Sequence, residues 1–322
     1  MALLLDVRGL TVELPSTAGW VRPVNDVSFR LGPGESLGLV GESGCGKTML
    51  SLALLGLLPP GARREGEAWF GADGERKNLV ALAGRELTAM RGRDVAMVFQ
   101  EPMTALNPVL RIGAQVEEAI RAHVPSLGAV EVERRALEAL ERARVPDPEL
   151  CFRQYPHQLS GGLRQRAMIA MALAAGPRLL IADEPTTALD VTVQKQILEL
   201  LGRLRRELGL ALLFITHDLG VVAQIAERVA VMYAGRIVEE GPATEVLRRP
   251  RHPYTEGLLR ASPQLRRQKL EPIPGAVPQL EALPPGCAFE PRCGYRRAEC
   301  SAAVPELRVA TPEHRARCIL VE

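Results

Sequence analysis

The segment GESGCGKT, residues 41–48, has the residue types and spacing that suit phosphate binding. It follows the apolar run SLGLV and precedes the apolar run TMLSLALLGLL, so a strand, a loop and a helix are predicted in that order. Glycines let backbone N–H groups turn toward phosphate oxygens, and the helix N-terminus adds partial positive charge. The predicted binding residues of this phosphate loop are Gly41, Ser43, Gly44, Cys45, Gly46, Lys47, Thr48 and Met49.

Two residues of the loop have a more specific chemistry. Lys47 carries a compact ammonium that suits a point contact with the β- and γ-phosphates of a nucleotide. Thr48 can offer its hydroxyl to Mg²⁺. A chance glycine-rich turn is the alternative, and the flanking strand and helix argue against it.

A second segment, RLLIADEPTTALD at residues 178–190, ends an apolar run with acidic residues. Asp183 at the carboxyl edge of a sheet could hold Mg²⁺ through water. Glu184 is placed to act as a general base that polarises an attacking water. Taken alone, acidic residues after a strand are more typical of a cap on the next helix.

A third segment, LSGGLRQR at residues 159–166, predicts another helix N-terminus. Ser160, Gly161 and Gly162 would expose a hydroxyl and backbone N–H groups, which together form an anion-binding surface without a lysine. A helix cap followed by two glycines is common, so this segment identifies nothing by itself.

The charge balance and the apolar stretches of the chain indicate which partners and locations are expected. The 322 residues contain 40 Lys plus Arg and 38 Asp plus Glu, a formal net charge of +2. No global basic field attracts nucleic acid, so no nucleic-acid partner is expected. The N-terminus lacks the long apolar core of a signal peptide, and Gly176, Pro177 and Arg178 interrupt the longest apolar stretch. We therefore expect no bilayer-spanning segment and a chain that stays in the cytosol.

The elements that position these segments alternate between strand and helix patterns. This alternation predicts an α/β fold with a mainly parallel sheet covered on both faces. Residues 113–145 have helical spacing of Glu, Arg, Ala and Leu, with a break near Pro125. From about Pro250 the chain becomes rich in proline. We predict a domain at 1–245, with a helical subdomain at about 101–175, and an extension at 246–322.

The phosphate loop, LSGG, the acidic strand end and the later His217, in this order, resemble the nucleotide-binding subunits of ATP-binding cassette (ABC) proteins. The resemblance covers about residues 1–245. It implies a P-loop NTPase fold with a RecA-like core, an antiparallel β subdomain and a helical subdomain, followed here by a small Cys-rich extension. It also implies an ATPase that uses ATP and Mg²⁺, in which two head-to-tail subunits enclose two nucleotides.

The same resemblance implies roles for single residues. Ser160, Gly161 and Gly162 would contact the γ-phosphate bound by a partner subunit, and Asp190 would cross the dimer interface. Gln100 matches the glutamine near Mg²⁺ and the attacking water, and His217 matches the histidine that contacts the γ-phosphate. The implied catalytic residues are Glu184, His217 and Gln100, and the implied Mg²⁺ ligands are Thr48, Gln100 and Asp183. Trp20 is expected to stack under the adenine; a packed loop aromatic is the alternative.

Longer phrases indicate a branch of the family. EPMTALNPVLRIGAQVEE, TTALDVTVQKQILELL and HPYTEGLLRASP resemble the ATPases of dipeptide and oligopeptide permeases, a branch that also imports nickel complexes and glutathione. The resemblance implies a second ATPase subunit, commonly a paralogue, two membrane permease subunits and an extracytoplasmic peptide-binding protein. It places the chain peripherally on the cytoplasmic face of the membrane. Nickel or glutathione import, and a soluble ABC ATPase of DNA repair or translation, are the alternatives.

Four cysteines near the C-terminus form the pattern C-x5-C-x6-C-x17-C, at Cys287, Cys293, Cys300 and Cys318. Structural zinc sites usually contain tight C-x2-4-C pairs, so the spacing leaves zinc, an iron–sulfur cluster and reduced thiols open. Resemblance to the peptide-permease branch implies a 4Fe–4S cluster, with Zn²⁺ as the alternative. We expect the centre to be structural, so that Cys300→Ser unfolds the tail and leaves ATP binding by residues 1–245 largely intact.

Overall fold

A computed structural model describes residues 3–17, 19–72, 74–187, 189–262 and 271–321 of the chain. The strands are β1 (Leu5–Ser16), β2 (Gly19–Leu31), β3 (Ser36–Val40), β4 (Arg63–Phe70), β5 (Lys77–Asn78), β6 (Val95–Val98), β7 (Leu179–Asp183), β8 (Ala211–Thr216), β9 (Arg228–Tyr233), β10 (Arg236–Pro242), β11 (Arg308–Thr311) and β12 (His314–Ala316). The α-helices are α1 (Lys47–Leu55), α2 (Gly84–Met90), α3 (Pro102–Ala105), α4 (Ile112–Arg121), α5 (Ala129–Arg142), α6 (Pro148–Arg153), α7 (Gly161–Leu173), α8 (Val191–Leu208), α9 (Leu219–Ile225), α10 (Ala243–Arg248) and α11 (Pro253–Ala261). Short 3₁₀ helices lie at Pro156–Gln158, Leu280–Ala282, Glu290–Arg292 and Ala298–Ser301.

The chain divides into two compact units. The first contains residues 1–32, 36–82 and 214–322, and the second contains residues 33–35 and 83–213. The phosphate loop and the C-terminal cysteines therefore belong to the same unit.

The first unit contains an antiparallel sheet with the strand order β2-β1-β4-β5. Leu5 on the central strand β1 pairs with Leu31 on one side and with Phe70 on the other. All three side chains are buried, so one face of the sheet is apolar. This sheet confirms the predicted antiparallel β subdomain.

A second set of strands in the first unit runs in the order β11-β12-β10-β9-β3. Strand β3 pairs in parallel with β9, and all five of its residues are buried, as expected for a strand covered on both faces. Strand β12 pairs antiparallel with β10, where Glu239 faces Ala316. The C-terminal region thus extends the sheet that carries the phosphate loop.

The second unit combines parallel strands with helices. Strands β6 and β7 pair in parallel, with Val98 opposite Ala182. The helices from α4 to α7 share an apolar core because their buried side chains recur at helical spacing. That core includes Ile112, Val116, Ile120, Val132, Ala136, Leu140, Ala167 and Ala170. The predicted helical insert is therefore confirmed, and the expected break falls between α4 and α5.

No helix in the described ranges combines the length and the apolar character that crossing a bilayer requires. The longest helix in those ranges is α8, and its outer face carries several charged residues.

Candidate nucleotide-binding site

The phosphate loop connects the buried strand β3 to helix α1. Gly46 is the N-cap of α1 with φ of 105°, and a Cβ at this position would lie 1.8 Å from the carbonyl oxygen of Pro23. Only glycine fits this backbone. The other loop residues divide by exposure: Ser43 and Gly44 are exposed, Gly41, Cys45 and Lys47 are buried, and Thr48 and Met49 are half-buried.

The ammonium of Lys47 is held by the loop itself. Its Nζ donates to the carbonyl oxygen of Gly41 at 2.7 Å and to that of Glu42 at 3.1 Å. Burial of a cation requires such acceptors. The Sγ of Cys45 lies 3.7 Å from the same Nζ, and burial raises the pKa of that thiol. The loop therefore keeps its cation at the N-terminus of α1, where the helix dipole favours anions.

Trp20 lies on β2 and is 46% exposed. The guanidinium carbon of Arg63 is 3.9 Å from the ring centroid, a cation–π contact that covers one face of the indole. The stacking of Trp20 under adenine stays a prediction.

His217 follows the buried strand β8 and is exposed. The next residue, Asp218, accepts a hydrogen bond from the N–H of Gly220 at 2.7 Å and caps α9. The backbone on both sides of His217 is therefore fixed, and its contact with a γ-phosphate stays a prediction.

In the second unit, the parallel pairing of β6 and β7 brings Gln100 beside Glu184. Gln100 Nε2 donates to Glu184 Oε2 at 3.3 Å, and Thr187 Oγ1 donates to the same oxygen at 2.9 Å. Asp183 is 1% and Glu184 9% exposed. Glu184 has φ of 45°, a left-handed conformation that costs about 1–3 kcal/mol for a non-glycine residue and is often found at functional sites. The end of β7 thus carries two buried acidic residues, and hydrogen bonds orient the carboxylate of Glu184.

The LSGG segment forms the N-terminus of α7, and Ser160 is its N-cap. The Ser160 hydroxyl accepts a hydrogen bond from the N–H of Leu163 at 3.4 Å. Asp190 is the N-cap of α8 and accepts from the N–H of Val193 at 2.9 Å. The two helix starts are neighbours, because a Cβ on Gly162 would lie 2.8 Å from Val193 Cγ1. Ser160, Gly161 and Asp190 are exposed, so this surface faces solvent.

The four C-terminal cysteines line one cavity, together with His252 and Phe289. All four are free thiols, and burial raises the pKa of Cys287 to about 11. Within the described ranges, no group of three or more His, Cys, Asp or Glu side chains is arranged to hold a metal ion. The four thiols therefore share one cavity without a preformed metal geometry.

Sequence reasoning missed the residues that hold Glu42, the second residue of the phosphate loop. The carboxylate of Glu42 pairs with Arg292. The backbone N–H of Glu42 donates to the hydroxyl of Tyr254. Glu42 occupies a variable position of the loop motif, and Arg292 is 250 residues further along the chain. The only local signal was the position of Arg292 directly before Cys293.

Comparison with known proteins agrees with this geometry. Residues 24–187 match the ABC transporter family, and residues 238–300 match the C-terminal region of oligopeptide/dipeptide transporters. A putative peptide import ATP-binding protein of Brucella melitensis is 50% identical over 98% of this chain and 96% of the relative. A similarly named protein of Brucella abortus is 49% identical over 94% of this chain and 91% of the relative.

Solved structures show the same fold. A dimeric bacterial ABC transporter cassette matches with a TM-score of 0.65 and 30% identity, over 74% of this chain and 99% of that one. A subunit of an ABC transporter complex from Clostridium perfringens matches with a TM-score of 0.62 and 27% identity, over 76% and 91% of the two chains.

The fold, the phosphate loop and the paired acidic residues define an ABC-type ATPase, which binds ATP and acts with the other subunits of a transporter. Within that class, the chain belongs to the oligopeptide/dipeptide transporter family of ATP-binding proteins.

Proposed function

We propose that this chain hydrolyses ATP as one of two cassettes that drive a peptide importer. The observation that carries the proposal is the 50% identity, over 98% of the chain, to a protein named as a putative peptide import ATP-binding protein. These names favour peptides over nickel complexes or glutathione. The matched transporter region at residues 238–300 argues against a soluble ATPase of DNA repair or translation.

The proposed chemistry divides between the two units. In the first, Lys47 and the N–H groups of the loop bind the phosphates, with Trp20 under the adenine and His217 at the γ-phosphate. In the second, Glu184 accepts the proton of the attacking water while Gln100 orients it. The hydrogen bonds from Gln100 and Thr187 fix the Glu184 carboxylate and support this role.

Oxygen donors suit Mg²⁺, which prefers carboxylate, hydroxyl and phosphate oxygens. The donors proposed are Thr48, Gln100 and Asp183, and the burial of Asp183 at 1% exposure supports the choice because a buried carboxylate favours a nearby cation. When bound, the ion would neutralise charge on the phosphate oxygens.

A second cassette, a paralogue or another copy, would complete each nucleotide site. Ser160, Gly161 and Gly162 would bind the γ-phosphate held by the partner cassette, and Asp190 would contact that cassette. The exposure of Ser160 and Asp190 at two neighbouring helix starts supports an intersubunit role. ATP would then join the cassettes, and hydrolysis would release them.

Two membrane permease subunits and an extracytoplasmic peptide-binding protein are the other proposed partners. Residues 101–118 would receive a helix of the permease. Three large apolar side chains in this segment support the contact because they are exposed: Met103 (52%), Val109 (75%) and Leu110 (37%). The chain would sit peripherally on the cytoplasmic face of the membrane, with the cassette at 1–245 and the extension at 246–322.

We also propose that Cys287, Cys293, Cys300 and Cys318 bind a 4Fe–4S cluster, or Zn²⁺ in its place. Four thiols on one cavity give the donor set that either centre needs, and cluster or metal binding would deprotonate them. Absorbance near 400 nm with stoichiometric iron in anaerobically prepared protein would support the cluster. Stoichiometric zinc without iron would exclude it.

The transport proposal is tested on the intact complex with its binding protein. ATP turnover is measured across a panel of peptides, nickel chelates and glutathione. We expect stimulation by peptides alone. Stimulation only by nickel chelates or glutathione would contradict the proposed solute, and turnover that requires DNA or ribosomes would contradict the transporter.

A further inference from the structure

The C-terminal cysteine module, defined as residues 271–321, contacts the phosphate loop at Glu42. Arg292 makes a bidentate ion pair with this residue: Nη1 lies 2.7 Å from Oε2 and Nη2 lies 3.1 Å from Oε1. The Arg292 side chain is only 4% exposed. A bidentate guanidinium–carboxylate pair has a fixed geometry, and here its arginine is buried and its carboxylate partly exposed, so the position of Glu42 is linked to that of Arg292.

The remaining hydrogen bonds of Arg292 anchor it within the first unit. Its Nε donates to the carbonyl oxygen of Pro274 at 2.9 Å, and Nη1 is 3.4 Å from the hydroxyl of Tyr233. The hydrogen bonds to Glu42 raise the pKa of the guanidinium, so it stays charged. Arg292 therefore cannot follow a moving loop without breaking contacts in its own module.

The backbone of Glu42 is held as well. Its N–H donates to the Tyr254 hydroxyl at 2.8 Å, and its carbonyl oxygen accepts from Lys47 Nζ at 3.1 Å. The residue that Arg292 holds is thus also one of the two whose carbonyl oxygens hold Lys47, together with Gly41. A displacement of Glu42 would move the acceptor of Lys47.

Arg292 is joined to the cysteines by sequence and by packing. It precedes Cys293 directly. Phe289 lines the cysteine cavity and contacts Tyr233 edge-to-face and Tyr254 at a tilt, with ring centroids 5.3 and 5.4 Å apart. The N–H of Cys287 donates to the carbonyl oxygen of Cys300 at 2.7 Å. The fold around the thiols therefore sets where Arg292 lies.

The charges of the Arg292–Glu42 pair also affect the binding of phosphates. Glu42 places a carboxylate in a loop whose ligand is a polyanion, and Arg292 neutralises that carboxylate. Without the arginine, the negative charge of Glu42 would oppose the phosphates.

We propose that Arg292 is a positioning residue for the phosphate loop, and that through the Arg292–Glu42 pair the affinity for nucleotide depends on the folded state of the cysteine module. The proposal rests on nucleotide binding at the phosphate loop and goes beyond it. It replaces the expectation that an unfolded tail would leave ATP binding largely intact. When the pair is broken, a smaller fraction of the molecules has the loop in its binding-competent conformation. The apparent affinity for nucleotide falls in proportion to that fraction.

The first test measures the equilibrium dissociation constant of a fluorescent ADP analogue with Mg²⁺, using the full-length chain. Arg292→Gln should raise this constant roughly 5- to 50-fold, as expected for loss of a charged hydrogen-bonded pair. Arg296→Gln is the matched control, because this arginine lies in the same module, is 67% exposed and pairs with Glu290 only at 3.9 Å. The control should bind like the wild type.

A double variant separates positioning from general structural damage. Adding Glu42→Gln to Arg292→Gln removes the unneutralised carboxylate, so the dissociation constant should fall below that of Arg292→Gln alone. Arg292→Lys should give an intermediate value because it restores charge without the bidentate geometry. A merely structural arginine would lower the melting temperature, and neither change would then restore affinity.

The second test disturbs the module while keeping all four cysteines. A Cβ at Gly286 would lie 2.1 Å from the carbonyl oxygen of Cys300, so Gly286→Ala should push the two segments apart. We expect a rise in the dissociation constant similar to that of Arg292→Gln, and no further rise when the two changes are combined. The midpoint of thermal unfolding is recorded in parallel, and binding is measured well below it.

Each outcome decides the proposal. Wild-type affinity in Arg292→Gln or in a destabilised Gly286→Ala would overturn it, and so would an additional effect of Gly286→Ala in the Arg292→Gln background. A wild-type chain that binds no nucleotide would instead contradict the proposed function.

Discussion

The phosphate loop and the LSGG surface are both helix N-termini that suit anions, but they are held in different ways. Lys47 is buried and satisfied by loop carbonyls, and Glu42 is held by Tyr254 and Arg292. The LSGG surface is exposed, and Ser160 is held by a hydrogen bond within its own helix start. A loop proposed to bind nucleotide is thus held by residues far along the chain, whereas a surface proposed to meet a partner is held by local helix caps.

The largest effect is expected from a change of Glu184, at the end of β7. Glu184→Gln removes the proposed proton acceptor, so ATP turnover by the intact complex should fall by roughly 10²- to 10⁴-fold. Nucleotide affinity should stay close to that of the wild type, because the phosphate loop is unchanged. Exposed Glu199→Gln on α8 is the control; equal turnover in both variants would remove Glu184 from the mechanism.

The next effect concerns the loop itself. Lys47→Ala removes a cation held by two loop carbonyls, so the dissociation constant of the fluorescent ADP analogue should rise about 10- to 100-fold. Exposed Lys195→Ala, on the outer face of α8, should leave the constant unchanged. Wild-type affinity in Lys47→Ala would show that the loop does not bind the nucleotide.

Acid should weaken the contacts that support the phosphate loop. His252 accepts a hydrogen bond from the N–H of Tyr254 at 3.1 Å, and burial lowers the pKa of His252 to about 4. In the unfolded chain His252 is protonated below about pH 6.5, whereas in the folded chain it stays neutral until about pH 4. The free energy of unfolding should therefore fall as the pH is lowered from 6.5 to 4, by about 1–3 kcal/mol from this group.

Denaturant unfolding of the wild type and of His252→Asn across this pH range measures the contribution. Asparagine can still accept from Tyr254 N–H but does not titrate. The stability of the variant should therefore depend less on pH. Identical pH profiles for the two proteins would contradict the assignment.

The smallest effect is expected at two helix caps, of which only Ser160 is also proposed to contact nucleotide. Ser160→Ala and Asp147→Ala each remove a helix cap in the second unit, and each should lower the free energy of unfolding by about 1 kcal/mol. Only Ser160→Ala should also lower the turnover of the assembled transporter. Nucleotide affinity of the isolated chain should be unaffected by both, as fluorescence titration can show, and equal turnover losses would indicate a shared stability effect.

Much of the site could be predicted because its signals are local. A strand, a glycine-rich loop and a helix are adjacent in sequence, so Gly46 and Lys47 can be predicted as loop residues without the fold. The Gln100–Glu184 contact follows from two strands that run in parallel. The Arg292–Glu42 pair could not be predicted, because 250 residues separate its members and only the packing of the C-terminal region beside β9 and β10 brings them together.

The C-terminal region shows the same limit. Its proline content and weak periodicity predicted a separate extension, and the spacing of Cys287, Cys293, Cys300 and Cys318 left several ligands open. The pairing of β12 with β10 and the buried contact between His314 and Glu239 at 2.7 Å depend on partners far along the chain. Such contacts have no signature in local sequence.

The most direct test of the account is the mass in solution of the Glu184→Gln chain mixed with the second cassette of its transporter, with Mg²⁺ and either ATP or ADP. If ATP is bound between the phosphate loop of one cassette and the LSGG surface of the other, the mass with ATP should equal that of two cassettes. With ADP the mass should be that of the separate chains. A further Ser160→Arg substitution should prevent association while leaving nucleotide affinity intact. No association with ATP, either with that cassette or with a second copy of this chain, would contradict the account.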